Sequence, residues 1–111
     1  MKPAVSHWWA QRITAVVLTP LCLWFILALA GAISKDYDSV HAWIKAPLTG
    51  PLLILFILAL FYHAQLGLQV VIEDYIGKEH HRKFCIILSG IIMLAAGLIA
   101  TLSVLKVAMD A

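Results

Sequence analysis

Three long apolar stretches dominate this 111-residue sequence. They cover approximately residues 13–33, 52–72 and 84–107, and apart from Lys106 near the end of the third they contain no Asp, Glu, Lys or Arg. A helix needs about 20 apolar residues to cross the hydrocarbon core of a bilayer, and its backbone groups are then satisfied within the segment. A barrel strand would be about half as long and would alternate in polarity. The sequence therefore predicts an all-α integral membrane protein with three transmembrane helices.

The amino-acid composition excludes an ordinary soluble domain. Hydrophobic residues make up 63% of the chain and charged residues 13%, whereas a soluble domain carries about 25% charged residues. A soluble fold of this size would lack enough polar surface to cover itself. The connections between the apolar stretches are too short for a second domain, so residues 1–111 are expected to form a single membrane domain. The net charge of +2 gives no indication of nucleic-acid binding.

The distribution of basic residues predicts how the three spans are oriented. Cytoplasmic segments next to membrane helices are enriched in Lys and Arg. One side of the membrane would carry Lys2, Arg12, Lys78, Arg82 and Lys83, and the other Lys35, Lys45 and Lys106. We therefore expect a cytoplasmic amino terminus and a periplasmic carboxyl terminus. No signal or transit peptide pattern is visible, which favours a bacterial cytoplasmic (inner) membrane, although a processed organelle protein would have the same features.

The two connections have different compositions. The first, residues 34–51, combines charges with Tyr37 and Trp43, which is typical of an interfacial segment and fits either a plain connector or a short surface helix. The second contains the sequence GKEHHRK, residues 77–83, whose adjacent histidines lack further ligands at metal-binding spacing. We expect it to contact lipid phosphates or a partner protein.

The two cysteines, Cys22 and Cys85, are expected to be free. Cys22 lies well inside the first span and Cys85 opens the third, so their depths differ by roughly 10 Å or more at the rise of an α-helix. Neither belongs to a C-x-x-C pattern, which argues against cysteine-bound zinc, an iron-sulphur cluster or covalently attached haem.

His63 is the residue that most strongly indicates chemistry, because it lies near the middle of the second span. An ionisable side chain is costly at this depth and is a candidate functional group. A neutral imidazole can bind a metal through one nitrogen while donating the other N–H, so His63 could be an axial haem ligand or a proton relay. The alternative is an interhelical hydrogen bond.

Gly67 lies one turn further along nearly the same face as His63, and its lack of a side chain would let a planar macrocycle approach the backbone.

Asp74 and Tyr75 follow at the end of the same span. Asp74 is eleven residues beyond His63, which places it about 20° round the helix and some 16 Å along it. The Tyr75 phenol can donate a hydrogen bond, and the neighbouring carboxylate can orient it or carry a proton. The pair would form a polar mouth above a buried site, or alternatively a simple interfacial anchor.

Two stretches together resemble a known family. The segment YHAQLGLQVVIEDY, residues 62–75, has a His, a Gly four residues later and an Asp-Tyr pair eleven and twelve residues after the His. This pattern resembles the second helix of the small, D-type cytochrome b membrane anchor of succinate dehydrogenase. The stretch HWWAQRITAVVLTPLCLW, residues 7–24, resembles the entry to that family's first helix, with an Arg, a small hydroxyl residue and an Ala. The third span carries no family signature.

The resemblance implies specific roles for several residues. His63 would be one axial ligand of a b-type haem, with the other histidine supplied by the larger, C-type cytochrome b anchor. Tyr75 would donate a hydrogen bond to a ubiquinone carbonyl, and Asp74 beside it would position the site or deliver protons. Arg12, at the start of the first span, could pair with a haem propionate or support the quinone pocket, or could simply extend to the lipid headgroups.

These observations lead to a functional hypothesis with two alternatives. The chain is expected to be a membrane-anchor subunit of succinate:ubiquinone oxidoreductase that carries out no succinate chemistry itself. By the same resemblance, a flavoprotein and an iron-sulphur subunit would complete the complex. The main alternative is a small three-helix membrane scaffold or assembly protein without a cofactor. A proton-coupled transporter has little support, since the spans lack paired carboxylates and discontinuous helices.

Overall fold

The computed structural model describes residues 3–110, with side chains from Val5 onward, and this part of the chain is all-helical. It contains four helices, α1 (Pro3–Ala32), α2 (Tyr37–Lys45), α3 (Thr49–Tyr75) and α4 (Glu79–Ala108). Three of them, α1, α3 and α4, are long and apolar enough to cross a membrane. The prediction of an all-α protein with three membrane-spanning helices is therefore confirmed.

The three long helices extend beyond the apolar stretches. Helices α1 and α4 have 30 residues each and α3 has 27, so each is about 40 to 45 Å long at 1.5 Å per residue. The hydrocarbon core of a bilayer is only about 30 Å thick. The ends of the helices therefore reach the headgroup region, where the charged residues of α4 and the carboxylates near the end of α3 can be hydrated.

Helix α2 occupies most of the first connection, where the sequence was compatible with either a connector or a surface helix. The Asp36 carboxylate caps its amino terminus by accepting a hydrogen bond from the Ser39 backbone N–H at 2.9 Å. The Trp43 ring lies against the Trp24 ring of α1, with centroids 6.1 Å apart. These contacts hold a short helix that would be marginal alone.

Helix α3 is central, because α1 and α4 both pack mainly against it in the described part of the chain. In the α1–α3 interface, Leu18, Leu21 and Phe56 form a buried cluster. The Phe25 and Phe56 rings stack there with centroids 4.7 Å apart. Dispersion and shape complementarity drive such packing in lipid, where no hydrophobic effect acts between helices.

The α3–α4 interface depends on small residues and a polar contact. A β-carbon on Gly97 would lie 3.6 Å from the Phe61 ring, so the absence of a side chain lets the ring rest on the α4 backbone. The Gln65 amide nitrogen donates to Ser89 Oγ at 3.2 Å. The cysteines, Cys22 in α1 and Cys85 in α4, are free, as the sequence predicted.

Candidate functional site

His63 faces α1, and its ring is partly buried between the helices. The His63 Nδ1 atom lies 2.8 Å from the Thr14 hydroxyl of α1. The imidazole is thus turned into the helix bundle and held there by a named partner, as expected for an intramembrane histidine. This contact also fixes the register of α1 against α3 at one point.

The hydrogen bonds of Thr14 indicate which nitrogen of His63 carries the proton. The Thr14 hydroxyl donates to the Ala10 carbonyl at 2.7 Å, and the Gln11 carbonyl is 3.1 Å away. A hydroxyl has one proton and two acceptor lone pairs. The short contact to the Ala10 carbonyl favours a proton directed to the backbone, and the oxygen then accepts from His63 Nδ1–H. The lone pair of Nε2 is then free to bind a metal.

Gly67 lies beside Gln11 in the same α1–α3 interface. A β-carbon on Gly67 would lie 3.5 Å from the Gln11 amide nitrogen, an ordinary van der Waals distance. Gln11 Oε1 and His7 Nε2 are buried, and the described residues offer neither a hydrogen-bond partner. Residues 7, 11 and 14 are spaced by four and three, so these polar side chains share one face of α1. The space next to Gly67 is thus polar and bounded by α1.

Asp74 and Tyr75 lie at the carboxyl end of α3, and both are exposed. Tyr75 is the last residue of the helix and its side chain is 84% exposed. Because α3 is continuous from Thr49 to Tyr75, the spacing of eleven residues places Asp74 some 16 Å from His63 along the axis and about 20° round it. Because both are exposed, Asp74 and Tyr75 are accessible to a molecule or subunit that approaches this end of the helix.

The structure does not bring Arg12 to His63. The Arg12 guanidinium lies 5.1 Å from the centre of the Trp8 ring, in a cation–π contact one turn away on α1. Residues 12 and 14 are about 200° apart on a helix, so Arg12 projects from the side of α1 that is remote from Thr14. Its role toward a bound cofactor stays a prediction, as do the roles of Gly67, Asp74 and Tyr75.

The remaining histidines occupy other places. His7 lies in α1 about two turns from Thr14, and His41 in α2 contacts Asp110 at 3.3 Å. His80 and His81 are exposed at the start of α4. Among the described residues, no three His, Cys, Asp or Glu side chains converge on a point that could hold a metal ion.

Comparison with known proteins places this arrangement in a family. A family model described as the succinate dehydrogenase/fumarate reductase transmembrane subunit matches residues 1–104. The chain belongs to this family. The resemblance inferred from the His-Gly-Asp-Tyr pattern is thereby confirmed, and the chain is a membrane anchor of the succinate dehydrogenase type.

Several succinate dehydrogenase membrane anchors are similar to this chain. The succinate dehydrogenase hydrophobic membrane anchor subunit of Rickettsia bellii (strain RML369-C) is 36% identical over 86 residues, which cover 78% of this chain and 69% of the relative. The succinate dehydrogenase membrane anchor subunit of Reclinomonas americana is 31% identical over 94 residues, covering 82% and 78%. The hydrophobic membrane anchor subunit of Paracoccus denitrificans is 31% identical over 86 residues, covering 78% and 66%. No solved structure matches the chain.

Two residues of the anchor's α1–α3 interface were given no role by sequence reasoning, although Thr14 is the small hydroxyl residue of the family-like stretch 7–24. Thr14 and Gln11 are ordinary polar residues near the start of an apolar stretch, and their importance depends on what they face. A helical projection of α1 would have found the signal, because His7, Gln11 and Thr14 lie on the face that also carries Leu18 and Leu21. A polar patch that continues an apolar packing face indicates polar partners on the neighbouring helix.

Proposed function

We propose that this anchor binds a b-type haem together with the larger, C-type cytochrome b anchor and contributes to the site at which ubiquinone is reduced. His63 supplies one axial ligand, and Asp74 and Tyr75 form part of the quinone site. The observation that carries the proposal is the contact between Thr14 and His63, which leaves Nε2 of an intramembrane imidazole available for iron.

The residues around His63 fit a haem. A metal-binding histidine commonly donates its second N–H to an oxygen, and the Thr14 hydroxyl is such an oxygen at 2.8 Å from Nδ1. Gly67, one turn away on α3, has no side chain, and the Gln11 amide lies against it at van der Waals distance, so a haem edge there would meet a polar side chain. The unpartnered polar atoms of Gln11 and His7 could donate to or accept from polar substituents at the edge of the macrocycle. A bound haem would supply a one-electron carrier within the membrane.

The second axial ligand must come from the partner anchor. His7 lies about 10 Å from Thr14 along α1, given seven residues at 1.5 Å each. His41 is in the surface helix, and His80 and His81 open α4 outside the apolar stretch. None of these histidines shares the depth of His63, so a bis-histidine site requires an imidazole from another chain.

The end of α3 suits the chemistry of a quinone. Reduction of a quinone to a quinol takes up two electrons and two protons. The Tyr75 phenol can donate a hydrogen bond to a quinone carbonyl, which stabilises the negative charge that develops on that oxygen. The Asp74 carboxylate beside it can accept a proton from water and pass it on. Both side chains are exposed where a quinone from the bilayer could meet them.

The orientation of the chain determines where the other subunits dock. The excess of Lys and Arg at the amino terminus and in the second connection supports a cytoplasmic location for Tyr75, in a bacterial inner membrane. The flavoprotein and iron-sulphur subunits would cover this side, so that electrons from succinate reach a quinone bound near Tyr75. A reporter enzyme fused after the carboxyl terminus should be active only if it functions in the periplasm.

The substitution His63→Ala in the purified complex tests the haem assignment. We expect loss or displacement of the reduced b-type haem band in the visible spectrum, because the iron loses a ligand. His81→Ala is the matched control, since His81 is exposed at the start of α4, and it should leave the band unchanged. A normal band in the His63→Ala complex would mean that the imidazole only joins α1 to α3, as in a scaffold without a cofactor.

A further inference from the structure

We infer that Thr14 is a positioning residue for His63, which sets the tautomer and the orientation of the imidazole and thereby tunes a metal bound at Nε2. The inference rests on the proposed function, in which His63 is an axial ligand. It adds a residue from a different helix, whose hydroxyl lies 2.8 Å from His63 Nδ1.

The Thr14 hydroxyl is oriented by its own helix, independently of His63. Its proton is engaged by the Ala10 carbonyl at 2.7 Å, one turn back along α1. A threonine in a helix has few allowed χ1 rotamers, and this back-bond selects one of them. The oxygen lone pair therefore points in a fixed direction, which suits an imidazole protonated on Nδ1.

The opposite arrangement is disfavoured by the same geometry. A hydroxyl that donated to Nδ1 would leave the proton on Nε2, and a protonated nitrogen cannot bind iron. A hydroxyl turned toward Nδ1 would also lose its hydrogen bond to the Ala10 carbonyl. That bond is the shorter of the two contacts that this hydroxyl makes with backbone oxygens. The back-bond of Thr14 thus favours the tautomer that a metal requires.

The position of Thr14 is also fixed through α1 as a whole. One turn further along the same face, Leu18 is buried in the α1–α3 cluster, and Leu21 follows it. The distance between the hydroxyl and the imidazole is consequently set by packed side chains of α1 and α3. Reorienting the His63 ring would require α1 to move relative to α3.

A hydrogen bond from Nδ1–H to an oxygen makes the imidazole a better electron donor. A better donor stabilises ferric iron over ferrous iron and lowers the reduction potential. Thr14→Val retains the branched shape but removes the acceptor, so the midpoint potential of the haem should shift in the positive direction. The affinity for haem should fall by about 10- to 100-fold, the range seen when such a supporting contact is lost.

The experiment uses the intact complex with three variants of α1. Thr14→Val should raise the midpoint potential and reduce haem retention, and Thr14→Ser should restore both because serine keeps the hydroxyl. Thr19→Val is the matched control. Thr19 makes the same back-bond, to the Ala15 carbonyl at 2.8 Å, but is exposed and has no contact with His63. A redox titration followed by visible spectroscopy measures the potential.

Two outcomes separate this inference from the proposed function. If His63→Ala removes the haem band while Thr14→Val has the midpoint potential of the unaltered complex, the positioning role is wrong and the ligand assignment stands. If His63→Ala leaves the band unchanged, the proposed function itself fails. A positive shift that serine reverses, and that Thr19→Val does not reproduce, supports the role of Thr14.

Discussion

The Phe61 ring of α3 lies directly over Gly97 of α4, 3.6 Å from where a β-carbon on that glycine would stand. Gly97→Leu should therefore separate the two helices, at a cost of about 1–3 kcal/mol from overpacking. Gly97→Ala adds only one methyl group at an ordinary contact distance, and it should be tolerated. The amount of assembled complex after mild heating, measured on native gels, compares the two variants. Equal stability of Gly97→Leu and the unaltered complex would contradict this account of the interface.

The substitution Tyr75→Phe tests the proposed quinone role of Tyr75 separately from the proposed haem ligand. A hydrogen bond contributes about 1 kcal/mol net, so quinone reduction should slow by about 5- to 10-fold. Succinate oxidation with an artificial soluble acceptor should persist, because it bypasses the membrane subunits. Tyr62→Phe is the matched control, since Tyr62 is also an exposed tyrosine of α3 but lies more than three turns before the end of the helix. Equal loss of both activities in Tyr75→Phe would count against a quinone role.

Substitutions at Gly67 distinguish cofactor space from helix packing. A β-carbon there would only touch the Gln11 amide at 3.5 Å, so Gly67→Ala should leave assembly intact. A leucine would occupy the space beside His63 and displace Gln11, and we expect lower haem content in assembled complexes. The ratio of haem to protein, determined by extraction of the pigment, gives the measurement. Full haem content in Gly67→Leu would exclude this face as part of the haem pocket.

The cap of α2 should make this helix sensitive to acid. Hydrogen bonds from Ser39, its side chain and then its backbone N–H, lower the pKa of Asp36 below the usual value of 3.8. A carboxylate whose pKa is lowered by folding stabilises the folded state above about pH 4 and loses this effect as the pH falls through the folded value. The protection factors of the α2 amides, which correct for the pH dependence of intrinsic exchange, should therefore fall below about pH 4. The substitution Asp36→Asn keeps a capping side chain that does not titrate. The α2 amides of this variant should therefore lack the acid-dependent change.

Hydrophobicity alone was enough to predict the number and type of the membrane spans, because only a long apolar helix satisfies its backbone in lipid. The bounds of the helices were not predictable in the same way, since a helix can continue into the headgroup region where charged residues such as Glu79 and Lys83 are tolerated. Helix α2 was left open because its stability depends on Trp43 meeting Trp24, a contact between distant parts of the chain.

In the candidate site, likewise, one residue could be found from the sequence and its neighbours on α1 could not. His63 could be identified from sequence because an imidazole within an apolar span is unusual. Its partner Thr14 could not, because hydroxyl residues are common in membrane helices and their hydrogen bonds depend on which helices are neighbours and in what register. The position of Gln11 beside Gly67 likewise follows from the packing of α1 on α3.

Because α3 takes part in both long interfaces, sliding it along its axis cannot alter one of them alone. The same displacement that moves Phe61 away from Gly97 also moves His63 away from Thr14. The α1–α3 and α3–α4 interfaces are thus coupled to each other through α3. The position of the imidazole is therefore set from both sides of α3, and a substitution on α4 that never approaches His63 would still change its contact with Thr14.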